Sequence, residues 1–534
     1  GVWSAPSAVA QTGPGGVGNE TGTSGQPENV LWLRADQGVT ESGSEVTDWA
    51  DQSGNANDAA LSSLPGPERT FGVGGLNGQP ALVFDRSNDE ALTVATTNDI
   101  NTSDYDQRTF TLAVQTGSNI TNRQIIYEEG GQANGYNIYI ESDTLYASAW
   151  SENEGWAQHF SLTASVQAST GYILTFVHDG TANTLDLYVN GTLEDTTTDP
   201  SIQTMAAHSG AIGIGNLVGN TEFDGGVDQG GTGGEGFGGA VAEVSLHNAA
   251  LNTAERQILE SALSEKYAIG VANDRYAQSS YPDDVAGVGK TGGVSHDEAS
   301  STVLTFTTPT LTDGDFALAG HEGSAAAFEP ETDPSGIGER LSRVWQVDLT
   351  GTPDTDLSFD VSGFTLASGE DWRVLVDTAD PTFSSSASVA SGTVSGPTFT
   401  VASADLNSAG FGDNAYVTLA KTVGDVVAPA GLSYAPNPLT VSNGPTAPQE
   451  ATPSFTTEGQ PTPTFSITDV RRGPSGSTSP VMQPSEITVA GNGVVSVDAS
   501  TSLQGRFEID IEASNASFSG GGTTSTTLVV EITE

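Results

Sequence analysis

Residues 172–189 read YILTFVHDGTANTLDLYV and set the fold class of this chain. Two runs that alternate apolar and polar residues, 172–177 and 185–189, flank a turn segment that contains Gly180 and Asn183. This pattern predicts a β-hairpin. Similar short runs separated by turn residues recur throughout residues 30–269. Strands at this density, with hardly any helical pattern between them, predict a β-sandwich.

One segment departs from the strand pattern: residues 251–267, LNTAERQILESALSEKY. Its apolar residues recur at intervals of three and four, which predicts an amphipathic helix. Asn252 is expected to cap the start of this helix, and Glu255, three residues later, to complete a capping box. This is the only helix that we predict for the chain.

The chain has 534 residues, more than a single hydrophobic core usually serves, so several domains are expected. The predicted fold class is all-β, with three β-sandwich domains in series. The predicted segments are a Gly/Ser/Thr-rich tail at 1–28, a sandwich at 29–272, a β-rich domain at 281–425 and an immunoglobulin-like sandwich at 430–534. We expect the tail to be either a disordered leader or a segment held by its own domain or by a strand of a neighbouring copy.

The composition is strongly acidic, with 16 Lys and Arg against 67 Asp and Glu and a formal net charge of −51. At molar salt the Debye length falls to roughly 3 Å, which removes most of the self-repulsion, so the acidity predicts adaptation to brine. The same charge disfavours nucleic acid and anionic membrane surfaces as partners. The absence of Cys excludes disulfides and thiolate metal sites. No apolar run is long enough for a membrane span, and we expect Gly1 to be a mature or trimmed end left after export.

Four motifs in the first region carry a family resemblance. Residues 31–39 (LWLRADQGV), 49–55 (WADQSGN), 185–191 (LDLYVNG) and 239–247 (GAVAEVSLH) resemble laminin-G/concanavalin-like domains of secreted bacterial surface proteins. The resemblance implies a concanavalin-like jelly roll closed by the one amphipathic helix. It also implies a secreted, cell-surface protein of a halophilic bacterium. It does not specify a ligand.

The two later regions resemble known modules more loosely. Residues 343–347 (RVWQV) and 371–377 (DWRVLVD) resemble an uncharacterised β domain that often follows laminin-G-like modules. Residues 432–439 (LSYAPNPL) and 505–515 (GRFEIDIEASN) resemble an immunoglobulin- or cadherin-like module. We expect no C-terminal sorting domain of the kind that many such relatives carry, which leaves the route of export and attachment open.

The strongest enzyme motif is EIDIE at 508–512, which matches the E-x-D-x-E pattern of retaining glucanases of the same jelly-roll class. On a strand, Glu508, Asp510 and Glu512 would line one face, as the two carboxylates of a glycosidase require. However, no Trp follows Trp372, so this region has little with which to stack a sugar. We interpret the motif as the polar face of a strand. With no G-x-S-x-G elbow and no phosphate-binding loop either, we expect no enzyme.

The sequence also contains weaker candidates for binding. Six His residues are scattered without the spacing of metal ligands. Calcium is the ion that the sequence favours, because it takes oxygen ligands and acids stand in or beside the Gly-rich segment 225–239. These candidates are Glu222, Asp224, Asp228 and Glu235. The alternative is a mobile, solvated loop.

Trp150 and Trp156 lie close together in sequence and could present ring faces to a sugar. Core packing is the commoner role of such residues. Two functions therefore remain open. The first is a non-enzymatic extracellular structural protein, a subunit of a filament or surface layer that self-assembles through its tail. The alternative is a lectin-like adhesin or carbohydrate-binding module with glycans as partners.

Overall fold

The computed structural model describes residues 13–23, 25–72, 75–331, 333–384, 387–423, 429–442, 448–456, 463–473, 487–498, 505–514 and 523–533. The chain is nearly all-β, which confirms the predicted fold class. It forms two compact units. The first comprises residues 1–329, 341–364 and 373–419, and the second comprises residues 330–340, 365–372 and 420–534. Among the described residues, no helix is both long and apolar enough to cross a membrane.

The first domain of the first unit contains nineteen strands. They are β1 (Asn29–Arg34), β2 (Val39–Ser42), β3 (Glu45–Trp49), β4 (Ala59–Leu61), β5 (Glu68–Gly72), β6 (Gly78–Val83), β7 (Leu92–Val94), β8 (Gln107–Gln115), β9 (Gln124–Gly130), β10 (Asn134–Glu141), β11 (Thr144–Ser151), β12 (Phe160–Ser165), β13 (Gly171–Asp179), β14 (Thr184–Val189), β15 (Thr192–Thr198), β16 (Ile212–Ile214), β17 (Asn220–Phe223), β18 (Val227–Gly230) and β19 (Ala240–His247). A 3-10 turn spans Arg86–Asn88.

These strands pair into two antiparallel leaves. The first leaf runs β15, β14, β13, β8 and β19, and both β1 and β6 pair with β19. The second leaf runs β12, β11, β10, β9, β16, β7, β4 and β3. The main apolar core includes Leu112 and Phe176 of the first leaf and Ile126 and Ile138 of the second. The predicted hairpin is confirmed as β13 and β14, and β13 continues two residues further than expected, to Asp179.

The predicted helix is confirmed as α1 (Thr253–Tyr267). Asn252 caps it as expected: its side chain accepts hydrogen bonds from the backbone of Ala254 and Glu255, while the Glu255 carboxylate accepts one from the Asn252 N–H at 2.8 Å. Helix residues Ile258 and Leu259 are buried in an apolar cluster on the outer side of the first leaf. That cluster also contains Val17, Ala113, Ile173, Ala242, Val285, Phe316 and Leu318. One core thus joins the helix to parts of the chain that lie before and after the first domain.

Residues 13–18 of the tail are buried within the first unit. The Nε2–H of His247 donates a hydrogen bond to the Val17 carbonyl at 3.1 Å. Gly16 has φ +70°, and a Cβ there would lie 2.9 Å from the Cβ of Ala286. Glycine is therefore required for this close approach. Because residues 13–18 pack against their own chain, an inter-subunit strand stays a prediction for residues 1–12, which lie outside the described residues.

The following β-rich region contains two sheets and a short helix. Its elements are β20 (Asp283–Thr291), β21 (Val294–His296), β22 (Glu298–Ser301), β23 (Leu304–Thr310), β24 (Phe316–His321), β25 (Phe328–Pro330), β26 (Ile337–Leu341), β27 (Trp345–Thr350), β28 (Asp354–Asp360), β29 (Trp372–Asp377), β30 (Ser388–Ala390), β31 (Thr393–Ser395), β32 (Thr398–Val401), α2 (Ser403–Ser408) and β33 (Tyr416–Thr422). One sheet includes β21, β20, β24, β27 and β33 in this order, and the other runs β22, β23, β28, β32 and β31. The short helix α2 was not predicted.

The last region forms two four-stranded sheets in the second unit. Its strands are β34 (Ser433–Ala435), β35 (Leu439–Ser442), β36 (Gln449–Ser454), β37 (Thr464–Arg472), β38 (Ile487–Val489), β39 (Val495–Val497), β40 (Gly505–Ser514) and β41 (Thr523–Thr533). The sheets run β34, β36, β39, β38 and β35, β41, β40, β37, with β35 parallel to β41. An immunoglobulin-like class for this region stays a prediction.

The EIDIE motif lies on β40. Its isoleucines face the apolar core, and its acids lie on the opposite face. The Arg471 guanidinium pairs with Asp510, with Nη2 at 2.8 Å from Oδ1, and Arg506 Nη2 lies 3.2 Å from a Glu508 carboxylate oxygen. Two of the three acids are thus paired with arginines, which agrees with the interpretation of the motif as a polar strand face.

Candidate functional site

The outer face of the second leaf lies under a hairpin from the Gly-rich segment. This hairpin, residues 217–230, includes β17 and β18, and we call it the hairpin cover. Leu217 and Phe223 pack on Ile125 and Tyr139, and the Phe223 and Tyr139 rings meet edge to face at 4.9 Å. Residues 227–230 of the predicted solvated loop thus pair with β17 in a hairpin, and its apolar residues pack on the outer face of the second leaf.

The hairpin cover also buries polar groups. Asn137 Nδ2 donates hydrogen bonds to the Thr221 hydroxyl at 2.9 Å and to the Glu222 carbonyl at 2.7 Å. Glu128 is fully buried, and its Oε1 accepts a hydrogen bond from the Val218 N–H at 3.0 Å. Burial raises the pKa of Glu128 to about 8, so this carboxyl is mostly protonated at neutral pH.

At the edge of the hairpin cover, His159 contacts three polar or aromatic groups. Its Nε2 lies 3.0 Å from the Ser161 hydroxyl oxygen, and its Nδ1 lies 3.1 Å from Glu222 Oε1. The imidazole stacks on the Trp150 ring at 5.2 Å between centroids. Burial lowers the pKa of His159 to about 4, so the imidazole is neutral at neutral pH.

The three calcium candidates whose side chains are described, Glu222, Asp224 and Glu235, do not form a metal-binding group. Among the described residues, no three His, Asp or Glu side chains group closely enough to hold a metal ion. Glu222 contacts His159, and the Asp224 N–H donates to the Tyr139 hydroxyl at 3.1 Å. Burial raises the pKa of Glu235. The side chain of Asp228 lies outside the described part of the chain. The described residues therefore do not form a calcium site.

The two tryptophans proposed as sugar platforms are buried. Trp150 is 1 % exposed and donates its indole N–H to the Gly131 carbonyl at 3.0 Å. Trp156 is 7 % exposed and donates to the Thr204 carbonyl at 3.0 Å. Neither ring offers a face to a sugar in this arrangement. Both tryptophans are therefore packing residues, which was the alternative interpretation of the sequence.

An open cleft of about 720 Å³ lies at one end of the sandwich. Its walls come from β5, the 3-10 turn, the end of β8 and the start of β19. Its floor is backbone: a Cβ at Gly117 would lie 1.5 Å from the Gly238 carbonyl oxygen, so only glycine allows the two segments to touch. The polar side chains that line the cleft are Glu68, Asp85, Arg86, Asn88, Glu90, Gln115, Thr116, Ser118, Asn119 and Ser169.

Hydrogen bonds organise the wall at residues 85–90. Glu90 Oε2 accepts the Asp85 N–H at 2.6 Å, and Glu90 Oε1 accepts from Asn88 Nδ2 at 3.2 Å. Arg86 Nη1 donates to the Arg123 carbonyl at 2.5 Å and to the Gly236 carbonyl at 2.7 Å. Three carboxyl groups line the cleft, those of Glu68, Asp85 and Glu90, against the one guanidinium of Arg86, so negative charge predominates there.

Residues 85–255 match the sequence profile of the concanavalin A-like lectin/glucanases superfamily. This domain is therefore concanavalin-like, as the motifs at 185–191 and 239–247 predicted. Residues 277–410 match a domain of unknown function, DUF8202. No curated protein matches the chain significantly.

Solved structures resemble the chain in fold alone. A sialidase carbohydrate-binding module from Ruminococcus gnavus, bound to α2,3 sialyllactose, is 14% identical over 29% of this chain and 82% of its own, with a TM-score of 0.24. Domain 4 of an extracellular arabinanase from Geobacillus stearothermophilus, in complex with arabinotriose, is 12% identical over 44% of this chain and 98% of its own, with a TM-score of 0.31. The binding domain of botulinum neurotoxin serotype D is 9% identical over 73% of this chain and 95% of its own, with a TM-score of 0.33.

Two groups of site residues were missed by the sequence analysis. The polar run DRSNDE at 85–90 follows directly on the apolar end of β6 and could have indicated a functional loop. His159 and Ser161 are two residues apart, a spacing that places both side chains on one face of a strand. The contact of His159 with Glu222, 63 residues later, had no signal in the sequence.

Proposed function

We propose that this chain is an extracellular, salt-adapted glycan-binding protein whose concanavalin-like domain holds its ligand in the cleft at the end of the sandwich. The observation that carries this proposal is the cleft itself, an open groove of about 720 Å³ lined by ten polar side chains. Sugar hydroxyls both donate and accept hydrogen bonds, so carboxylate, amide and hydroxyl side chains around a groove suit them.

The charge of the cleft narrows the ligand class. Glu68 and Asp85 are exposed carboxylates, and Arg86 is the only cationic side chain among the residues that line the cleft. An anionic glycan would meet like charge at contact distance, where screening by salt is weakest. The proposed ligand is therefore a neutral glycan, bound through hydrogen bonds in place of aromatic stacking.

A glycan array in molar salt tests this proposal. We expect saturable binding to neutral glycans and none to sialylated ones. Gly238 lines the cleft, and a Cβ there would meet nothing closer than the Arg86 Cβ at 3.5 Å, so Gly238→Trp should be accommodated and fill the cleft. Gly412→Trp, in the following domain, has equally open surroundings and serves as the matched control. Binding that survives Gly238→Trp, or no saturable binding at all, would contradict the proposal.

The structural role is a second candidate because one apolar cluster joins Val17, helix α1 and β20 of the next domain. Such a joint favours a rigid subunit of a filament or surface layer. Negative-stain microscopy of the native protein in high salt should then show assemblies, and deletion of residues 1–12 should abolish them. Only monomers, with or without these residues, would eliminate the structural candidate without affecting the glycan-binding proposal.

A further inference from the structure

The last region carries a groove of about 400 Å³ between the end of β36 and the start of β37. Its walls include the rings of Phe455 and Phe465, which are half-buried and lie 5.9 Å apart between centroids. All the described residues that line it are uncharged: Thr452, Pro453, Ser454, Phe455, Pro463, Phe465, Asn492 and Val494. On a chain of net charge −51, an uncharged aromatic groove suits an apolar occupant.

The groove is held in shape around Phe465. A Cβ at Gly493, which has φ +82°, would lie 2.5 Å from Phe465 Cε1, so this ring lies directly on backbone. Tyr434 is buried and donates its hydroxyl to the Gly493 carbonyl at 2.8 Å, which fixes that backbone in place. A ring positioned in this way loses little conformational freedom when an occupant packs against it.

Strand β37 also lies at the edge of its sheet. Within the described part of the chain it pairs with β40 alone, which leaves one side of its backbone for a further strand. An extended segment can add to such an edge through main-chain hydrogen bonds while its side chains enter a neighbouring pocket. The groove adjoins this edge at Pro463 and Phe465. The site therefore suits an extended, apolar peptide segment.

Residues 1–12, GVWSAPSAVAQT, have the chemistry of such an occupant. They carry no charged side chain, and the first one in the sequence is Glu20. In an extended strand Trp3 and Val9 would point to the same side, because alternate residues share a face. Residues 13–18 are buried in the first unit, and twelve extended residues before them can reach about 40 Å. That reach is long enough for contact with a neighbouring copy.

We propose that residues 1–12 of one copy add to the β37 edge of a second copy, with Trp3 in the groove between Phe455 and Phe465. This inference rests on the structural candidate above and names the contact between its subunits. Each copy offers one segment and one groove, so the contact repeats from copy to copy and builds a filament or a ring. Molar salt screens the repulsion between the acidic chains.

Photo-cross-linking of the full chain in molar salt tests the proposal. Trp3 is replaced by p-benzoylphenylalanine, which keeps an aromatic side chain, and unlabelled copies are mixed before assembly with copies that carry heavy nitrogen. We expect cross-links from residue 3 of one copy to residues 452–455 or 463–465 of a copy with the other label. Cross-links elsewhere, cross-links only within one copy, or none would overturn the proposal. If assemblies still form and still require residues 1–12, the structural candidate stands and only the groove assignment is wrong.

A charge placed in the groove gives the second readout. Thr452 is exposed and lines the groove, so Thr452→Glu adds a carboxylate there and removes no core residue. It should weaken the binding of a fluorescent peptide of residues 1–12, measured by anisotropy on a chain that lacks them, by about tenfold or more, because burying an unpaired charge is costly. Thr488→Glu, equally exposed on β38 but outside the groove, is the matched control and should bind the peptide normally. Equal affinities of the two variants, or no saturable binding to the unaltered groove, would overturn the proposal.

Discussion

The two leaves of the concanavalin-like domain are covered in different ways. Helix α1 covers the first leaf with buried aliphatic residues such as Ile258 and Leu259. The hairpin cover lies on the second leaf and buries polar groups, among them Glu128 and Asn137, next to the ring of Phe223. The helix also buries a charged pair, because Arg256 Nη1 lies 2.6 Å from Glu260 Oε2. Among the described residues, Glu128 under the hairpin cover instead accepts the Val218 N–H and has no such ion pair.

This difference has a physical consequence for function. Apolar burial is favourable without directional partners, so residues such as Ile258 and Leu259 stabilise the helix on its leaf by themselves. Buried polar groups are stable only when they are paired, and burial shifts their protonation. Both covers therefore hold a carboxyl group whose pKa burial raises, to about 7 for Glu260 under the helix and to about 8 for Glu128 under the hairpin cover.

The largest expected effect comes from the helix side. Leu259 is fully buried, so Leu259→Ala should lower the free energy of unfolding by about 2–5 kcal/mol through lost burial and a cavity. Urea unfolding followed by tryptophan fluorescence measures this change. Leu193→Ala is the control, because Leu193 is 46% exposed and its truncation should stay within about 0.5 kcal/mol. If both variants lowered the free energy of unfolding equally, burial of Leu259 beneath the helix would not be a main source of stability.

A pH effect is expected on the hairpin side. The pKa of Glu128 is about 8 in the folded chain, above its ordinary value of 4.5, so the unfolded chain releases this proton first. The stability that depends on Glu128 is therefore present at low pH and is lost as pH rises from about 4.5 through 8. Glu128→Gln cannot ionise and should gain on the order of 2–4 kcal/mol over the unchanged chain at pH 9, since each pKa unit corresponds to about 1.4 kcal/mol.

Unfolding of Glu128→Gln at pH 5 and at pH 9 measures this gain, which should be small at pH 5. The exposed Glu152→Gln is the matched control and should show the same gain or loss at both values. If the advantage of Glu128→Gln did not grow with pH, the carboxyl would not be buried under the hairpin cover as described.

The smallest effect is expected for the hydrogen bonds that hold the hairpin. Asn137→Ala removes both bonds of the Asn137 amide and leaves the Glu222 carbonyl without this donor, which should cost about 1–3 kcal/mol. The substitution should also accelerate amide hydrogen exchange in β17 and β18 and leave it unchanged in helix α1. The exposed Asn153→Ala should change neither quantity. Faster exchange in the helix as well would show that the two covers are not independent.

The elements that the sequence predicted are those with local signals. The helix was recognised from its apolar spacing and from Asn252 and Glu255, and the structure has the full capping box. The hairpin of β13 and β14 was recognised from two alternating runs around one turn. Both depend on residues close together in the chain, whose side-chain periods report the local conformation directly.

The candidate site could not be predicted in this way. The contact of His159 with Glu222 joins segments far apart in sequence, and so do the walls of the cleft at 68, 85–90 and 115–119. Their meeting depends on strand order, which periodicity does not report. Strand β18 lies within the segment 225–239, and its pairing with β17 has no signal in this run of glycines. The sequence left Trp150 and Trp156 open between a sugar platform and core packing, because burial depends on the same long-range packing.

The apolar cluster around Val17 limits which parts of this chain recombination can move between genes. Helix α1 ends the first domain, yet its buried face touches residues of the following domain, including Val285 and Phe316. A recombination event that moved either domain alone would expose these side chains to water, and the recipient would have to bury them anew. The segment that can be exchanged intact between genes is therefore the pair of domains together with residues 13–18, so duplication and shuffling should transmit all three as one module.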